Sequence, residues 1–130
     1  MKTVGIILSV AWATALLLPA AAAEKPPKTG KLQHVVAFKF KSTATPAQIQ
    51  QVEAAFCALK KKIPQVKSLE WGTNVSPENL HRGFTHCWIL TFKTEADRDT
   101  YIKHPAHQAF VELLRPVLEE AFVIDFWAQK

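Results

Sequence analysis

Apolar and polar side chains alternate from Leu32 to Phe40 (LQHVVAFKF), with Leu32, His34, Val36, Phe38 and Phe40 on one face. A period of two is the signature of a strand. The pattern then changes. Ile49, Val52, Phe56, Leu59 and Ile63 recur at three- and four-residue spacing, the buried stripe of an amphipathic helix. Thr45-Pro46-Ala47-Gln48 opens that helix with a capping residue, a proline suited to the first turn and a glutamine at the capping-box position; Pro64 ends it. Val66–Val75, with Leu69 and Trp71 on one face, reads as a second strand, and a polar loop carries the chain to Gly83. Phe84–Phe92 (FTHCWILTF) is a third strand, apolar on both faces and therefore expected at the centre of a sheet, covered on both sides. Thr94 caps a helical segment that ends near Lys103, and Pro105 starts another, carrying Ala109, Phe110, Leu113, Leu114 and Val117. Pro116 should kink or end it. Ala121–Ala128 (AFVIDFWA) is a final strand.

The order is β-α-β-β-α-β with the second helical region in two pieces, an α+β, ferredoxin-like fold with a four-stranded antiparallel sheet. Helices cover one face. The other is expected to carry Val35, Ala37, Ile89 and Val123, and a second copy packed sheet to sheet would bury it as a dimeric α+β barrel. A homodimer is predicted on that ground.

The 130 residues allow one domain, and the N-terminus stands outside it. Lys2 precedes an apolar run, Val4–Leu18, and Ala21 and Ala23 satisfy the small-residue rule for cleavage before Glu24. Residues 1–23 thus read as a signal peptide, 24–31 (EKPPKTGK) as a flexible leader and 32–128 as the folded domain. The alternative is an uncleaved anchor, since the run approaches the roughly 20 residues that span a bilayer. Export, to a periplasm or out of the cell, is the expectation, with no stable membrane anchor after cleavage. Losing Lys2 lowers the formal net charge from +5 to +4. The only basic run, Lys60-Lys61-Lys62, closes the first helix, where cations complement the helix dipole, so no nucleic-acid partner is expected.

Of five histidines, His81 lies in the polar loop. His34 and His86 sit on strands that neighbour each other in this topology and share parity with bulky apolar residues. His104 and His107 flank Pro105-Ala106, with Tyr101 just upstream. Together these could line one pocket between sheet and helices. A neutral histidine beside a tyrosine hydroxyl in an apolar pocket can take a proton next to a carbonyl and stabilise the enolate. Two other readings stay open: His34 and His86 as hydrogen-bonded core residues, and a metal site. The latter lacks a ligand signature such as HExxH and an obviously placed carboxylate.

HVVAFKF (34–40), TPAQ (45–48), IP (63–64), EWGTNVS (70–76), GFTH (83–86) and YIKHPAHQAF (101–110) together resemble a stress-responsive A/B barrel (Dabb) domain over Leu32 to Trp127, and within that family the olivetolic acid cyclase type. The resemblance implies a dimer and cofactor-free aldol-type chemistry. It implies His107 as general base, Tyr101 as hydrogen-bond donor and Asp125 as the acceptor that orients His107. Strand alternation puts Asp125 opposite to Phe122, Ile124 and Phe126, so that role would need a twist at the strand end. His34 and His86 match pocket histidines; Phe56, Trp88 and His104 are read with them as contacts to a small apolar or aromatic ligand. Phe56 stands where the cyclase type has a tyrosine, and an exported protein would not normally meet coenzyme-A thioesters. Three functions follow: a binding or stress-protective protein, a cofactor-free lyase or cyclase, and a cofactor-free monooxygenase of the dimeric α+β barrel class, the last supported by architecture alone. Cys57 on a helix and Cys87 on the open sheet face would have the sheet between them, which argues against a disulfide.

Overall fold

The computed structural model describes residues 30–129. The expected signal peptide and most of the expected leader lie outside them. The elements are β1 (Leu32–Phe40), α1 (Pro46–Lys62), β2 (Ser68–Thr73), β3 (His86–Phe92), α2 (Glu95–Lys103), α3 (Pro105–Leu114) and β4 (Leu118–Trp127). The sheet order is β2-β3-β1-β4, antiparallel throughout, with the helices on one face. This is the expected ferredoxin-like arrangement.

Local chemistry sets the helix boundaries. Thr45 accepts from the Gln48 backbone N–H at 3.2 Å while the Gln48 side chain accepts from the Thr45 N–H at 2.9 Å, a complete capping box. Thr94 caps α2 through the Asp97 N–H at 3.0 Å. Val52, Phe56, Leu59 and Ile63 are buried as their spacing requires, and Ile49 is half-buried at the stripe's end. Inside, Phe56 stacks on Trp88 at 4.7 Å, and Phe38 and Phe110 close the cluster at 5.0 Å from Trp88 and 4.8 Å from Phe56. Each such buried ring contributes about 1.5–3 kcal/mol through lost apolar surface.

β4 departs from expectation in the face it presents. Its register pairs Val36 with Val123 and His34 with Asp125, and Ala37 with Phe122 and Val35 with Ile124. Paired residues share a sheet face. Val123 and Asp125 therefore lie on the helix side, and Phe122, Ile124 and Phe126 on the open side. Val123 is removed from the open face, and no strand-end twist is needed to turn Asp125 inward. The inversion arises because the bulkiest residues of β4 serve the open face, where Phe122, Ile124 and Phe126 remain about half exposed (51%, 47% and 46%) beside Ile89. Cys87 lies on this face and Cys57 on α1; both are free, and burial pushes both thiols up.

Candidate active site

Pro105 organises the site. The residue before a proline is steered out of the α region, and His104 is extended (φ −64°, ψ 137°), ending α2 after Lys103. Pro105 then takes the first position of α3, where its missing N–H is harmless. The break folds the first turn of α3 back against the last turn of α2. It brings the rings of Tyr101 and His107 to 4.5 Å and leaves the carbonyls at the end of α2 without helical partners. One of these, Ile102 C=O, accepts from His107 Nδ1 at 3.0 Å and from Gln108 Nε2 at 2.8 Å. With its proton held at Nδ1, the neutral His107 ring carries its lone pair at Nε2.

Beneath these helices, His34 on β1 lies edge-on to Tyr101 at 5.7 Å. His34 donates Nδ1–H to Asp125 Oδ1 at 2.6 Å, and Asp125 Oδ2 accepts from Arg98 Nη1 at 2.6 Å. Asp99 holds the guanidinium from the other side at 2.8 Å. A carboxylate bound by a guanidinium is an acceptor only, so His34 must be the donor at Nδ1. The expected partnership of Asp125 with His107 is thus corrected. Asp125 faces His34, its cross-strand neighbour, while a main-chain carbonyl orients His107.

His34, Phe56, Tyr101, His107, Phe110 and Val123 line one cavity of about 330 Å³, closed further by aliphatic side chains of α3 and β4. That is the lower end of the size range for small-molecule sites. Burial pushes the Tyr101 hydroxyl far above its ordinary value, so it stays protonated as a donor. Burial lowers the His107 pKa, the Ile102 carbonyl opposes this, and nearby His34 adds to the lowering. A low-dielectric wall thus drives two neighbouring groups in opposite senses, leaving one as a base and the other as a proton-bearing donor.

The remaining expected residues are elsewhere. His104 caps α3, its Nδ1 accepting from the Ala106 N–H at 3.1 Å, and does not line the cavity. Trp88 is fully buried behind Phe56. His86 lies toward the other end of the sheet, bonded to Glu53 at 3.0 Å and Thr85 at 2.8 Å, in a separate hollow of about 340 Å³ with Trp71. Only the first cavity brings two imidazoles and a phenol together. Arg98 was not legible as a site residue: it sits in a polar helix segment with nothing in its spacing to point at Asp125. Among the described residues, no group of three or more His, Cys, Asp or Glu could hold a metal ion.

A family model described as Stress responsive A/B Barrel Domain matches residues 32–128. The stress-response A/B barrel domain-containing protein HS1 of Arabidopsis thaliana is 35% identical over 97 residues, 75% of this chain and 89% of that protein. Olivetolic acid cyclase of Cannabis sativa is 31% identical over 99 residues, 76% and 98% of the two chains. The solved hydroxynitrile lyase of Passiflora edulis superposes with a TM-score of 0.73 at 28% identity, over 78% of this chain and 95% of that one. At 23% and 22% identity, dimeric ferredoxin-like proteins of unknown function share the fold, with TM-scores of 0.66 and 0.67.

Proposed function

The chain belongs to the stress responsive A/B barrel domain family, and from that premise we propose that it is an exported homodimer whose cavity takes a small apolar or aromatic carbonyl compound and performs proton transfer on it. The observation that carries the reading is the pairing of His107 and Tyr101. A ring with its lone pair at Nε2 and a lowered pKa stands beside a buried hydroxyl that keeps its proton, in one apolar cavity.

In this mechanism His107 Nε2 takes a proton from the carbon next to the ligand's carbonyl. The C–H electron pair moves onto the carbonyl oxygen, and the Tyr101 hydroxyl donates a hydrogen bond to the oxyanion. The enolate carbon then attacks a second carbonyl, as in an aldol-type cyclisation, and His107 Nε2–H returns its proton to the alkoxide so formed. In the lyase direction His107 takes the hydroxyl proton, the carbon–carbon bond breaks, and the released enolate receives that proton. His34 forms the adjacent wall, held by Asp125 and Arg98. The names of two relatives, a cyclase and a lyase, are compatible with this class of reaction. Phe56 makes its side of the cavity apolar and asks for no polar group on the ligand there. The apolar run and alanine cleavage pattern in residues 1–23 support export, and the apolar open face supports the homodimer.

A second reading is binding without turnover, in a stress-protective role; the 35% identity to HS1, described as a stress-response protein, favours it. The compound retained by protein from its own host can be identified by native mass spectrometry and supplied to wild type and His107→Ala. The first reading expects turnover by wild type and a loss of about 10²–10⁴-fold in the variant, with affinity nearly kept. Equal turnover by both would remove His107 as the base, and binding with no turnover by wild type would establish the second reading.

A further inference from the structure

Lys31 immediately precedes β1, Lys67 immediately precedes β2 and Lys93 immediately follows β3. The registers Leu32↔Phe92 and Ser68↔Thr91 bring these three positions to the same end of the sheet. Lys67 N–H donates to the Thr91 carbonyl at 2.9 Å, extending the ladder to its last rung. With neighbouring strands about 4.8 Å apart, the order β2-β3-β1 sets Lys67, Lys93 and Lys31 side by side. All three line one hollow of about 310 Å³ with Ser68, Thr91 and Phe92. None forms an ion pair with a carboxylate among the described residues, in contrast to Lys39, which holds Glu119 at 2.7 Å. Lys67 Nζ donates to the Pro64 carbonyl at 3.2 Å, which steadies it and leaves further protons to donate.

We infer that this hollow is an oxyanion site for a phosphate or sulfate group, apart from the His107 cavity and independent of the reaction proposed there. Three lysines around one concavity bring like charges together, and a multivalent anion relieves their repulsion. The hydroxyls do not compete for the ligand. Ser68 Oγ donates to Thr91 Oγ1 at 2.8 Å, and Thr91 Oγ1 donates to Gln33 Oε1 at 3.0 Å, so both protons are committed within the sheet. The donors left are lysine point charges, which select by charge more than by shape. The site should therefore prefer pyrophosphate to phosphate and phosphate to chloride, and weaken with added salt.

The test is NMR titration of the mature protein with inorganic pyrophosphate at low salt, beside sedimentation with phosphatidic acid vesicles and with phosphatidylcholine vesicles. Saturable shifts at residues 31, 67 and 93, weakened about threefold to fivefold by Lys93→Gln and not by Lys39→Gln, are expected for a free oxyanion. Binding confined to phosphatidic acid vesicles, with the same dependence on Lys93, assigns the oxyanion to a lipid headgroup. The inference is overturned by no response in either arm, or by equal losses in Lys93→Gln and Lys39→Gln, which would mean diffuse charge attraction.

Discussion

The chain Arg98–Asp125–His34 links a helix to two strands through two bonds of 2.6 Å. Each member has one task. Arg98 keeps the carboxylate an acceptor, Asp125 fixes the proton of His34 at Nδ1, and His34 forms the cavity wall beside Tyr101. Asp125→Asn removes the charge and keeps the shape. Because the side chains of Asp125 and Arg98 are each about a quarter exposed (24% and 22%), solvent screens the pair. The expected loss is about 1 kcal/mol, read as a lower urea midpoint with an unchanged slope. An unchanged midpoint would show that the pair serves orientation alone. This pair also marks where the sequence was hardest to read. The family resemblance pointed to Asp125 but to the wrong partner, because the β1–β4 register depends on contacts 91 residues apart.

Helix ends were the most legible elements, because caps and prolines act locally. Thr45, Gln48, Pro105 and the halves of the second helical region behave as their neighbours in sequence dictate. Thr45→Ala removes the cap and should cost about 1 kcal/mol, checked by thermal or urea unfolding; no change would mean that water replaces the bond. Strand faces were legible in β1 and β3, where a histidine and bulky apolar residues share one parity, and not in β4. In β4, Phe122, Ile124 and Phe126 alternate with Ala121, Val123 and Asp125. The larger set looks like the core-facing one, and it faces outward because the open face needs apolar surface of its own. His86 illustrates the same limit along a strand. Its parity correctly places it on the helix side, but parity does not reveal its position along the strand, which puts it with Glu53 rather than with His107.

At the scale of the molecule, one sheet separates the two proposed tasks: proton transfer beneath the helices and assembly through the open face. Ile124→Lys places a charge amid that open face while leaving the helix-side core untouched. Analytical ultracentrifugation should find a dimer for wild type and a monomer for the variant, with unchanged circular dichroism; a monomeric wild type would refute the assembly. The proposed chemistry stands on His107 being, in the folded protein, a base with its lone pair at Nε2. Nitrogen-15 NMR of the imidazole rings in the mature protein, followed through a pH titration, reads this directly. The expected result is a neutral His107 protonated at Nδ1, titrating below the ordinary 6.5, so that any turnover rises with pH as the ring loses its proton. A neutral ring protonated at Nε2, or a His107 that titrates above 6.5, would contradict it.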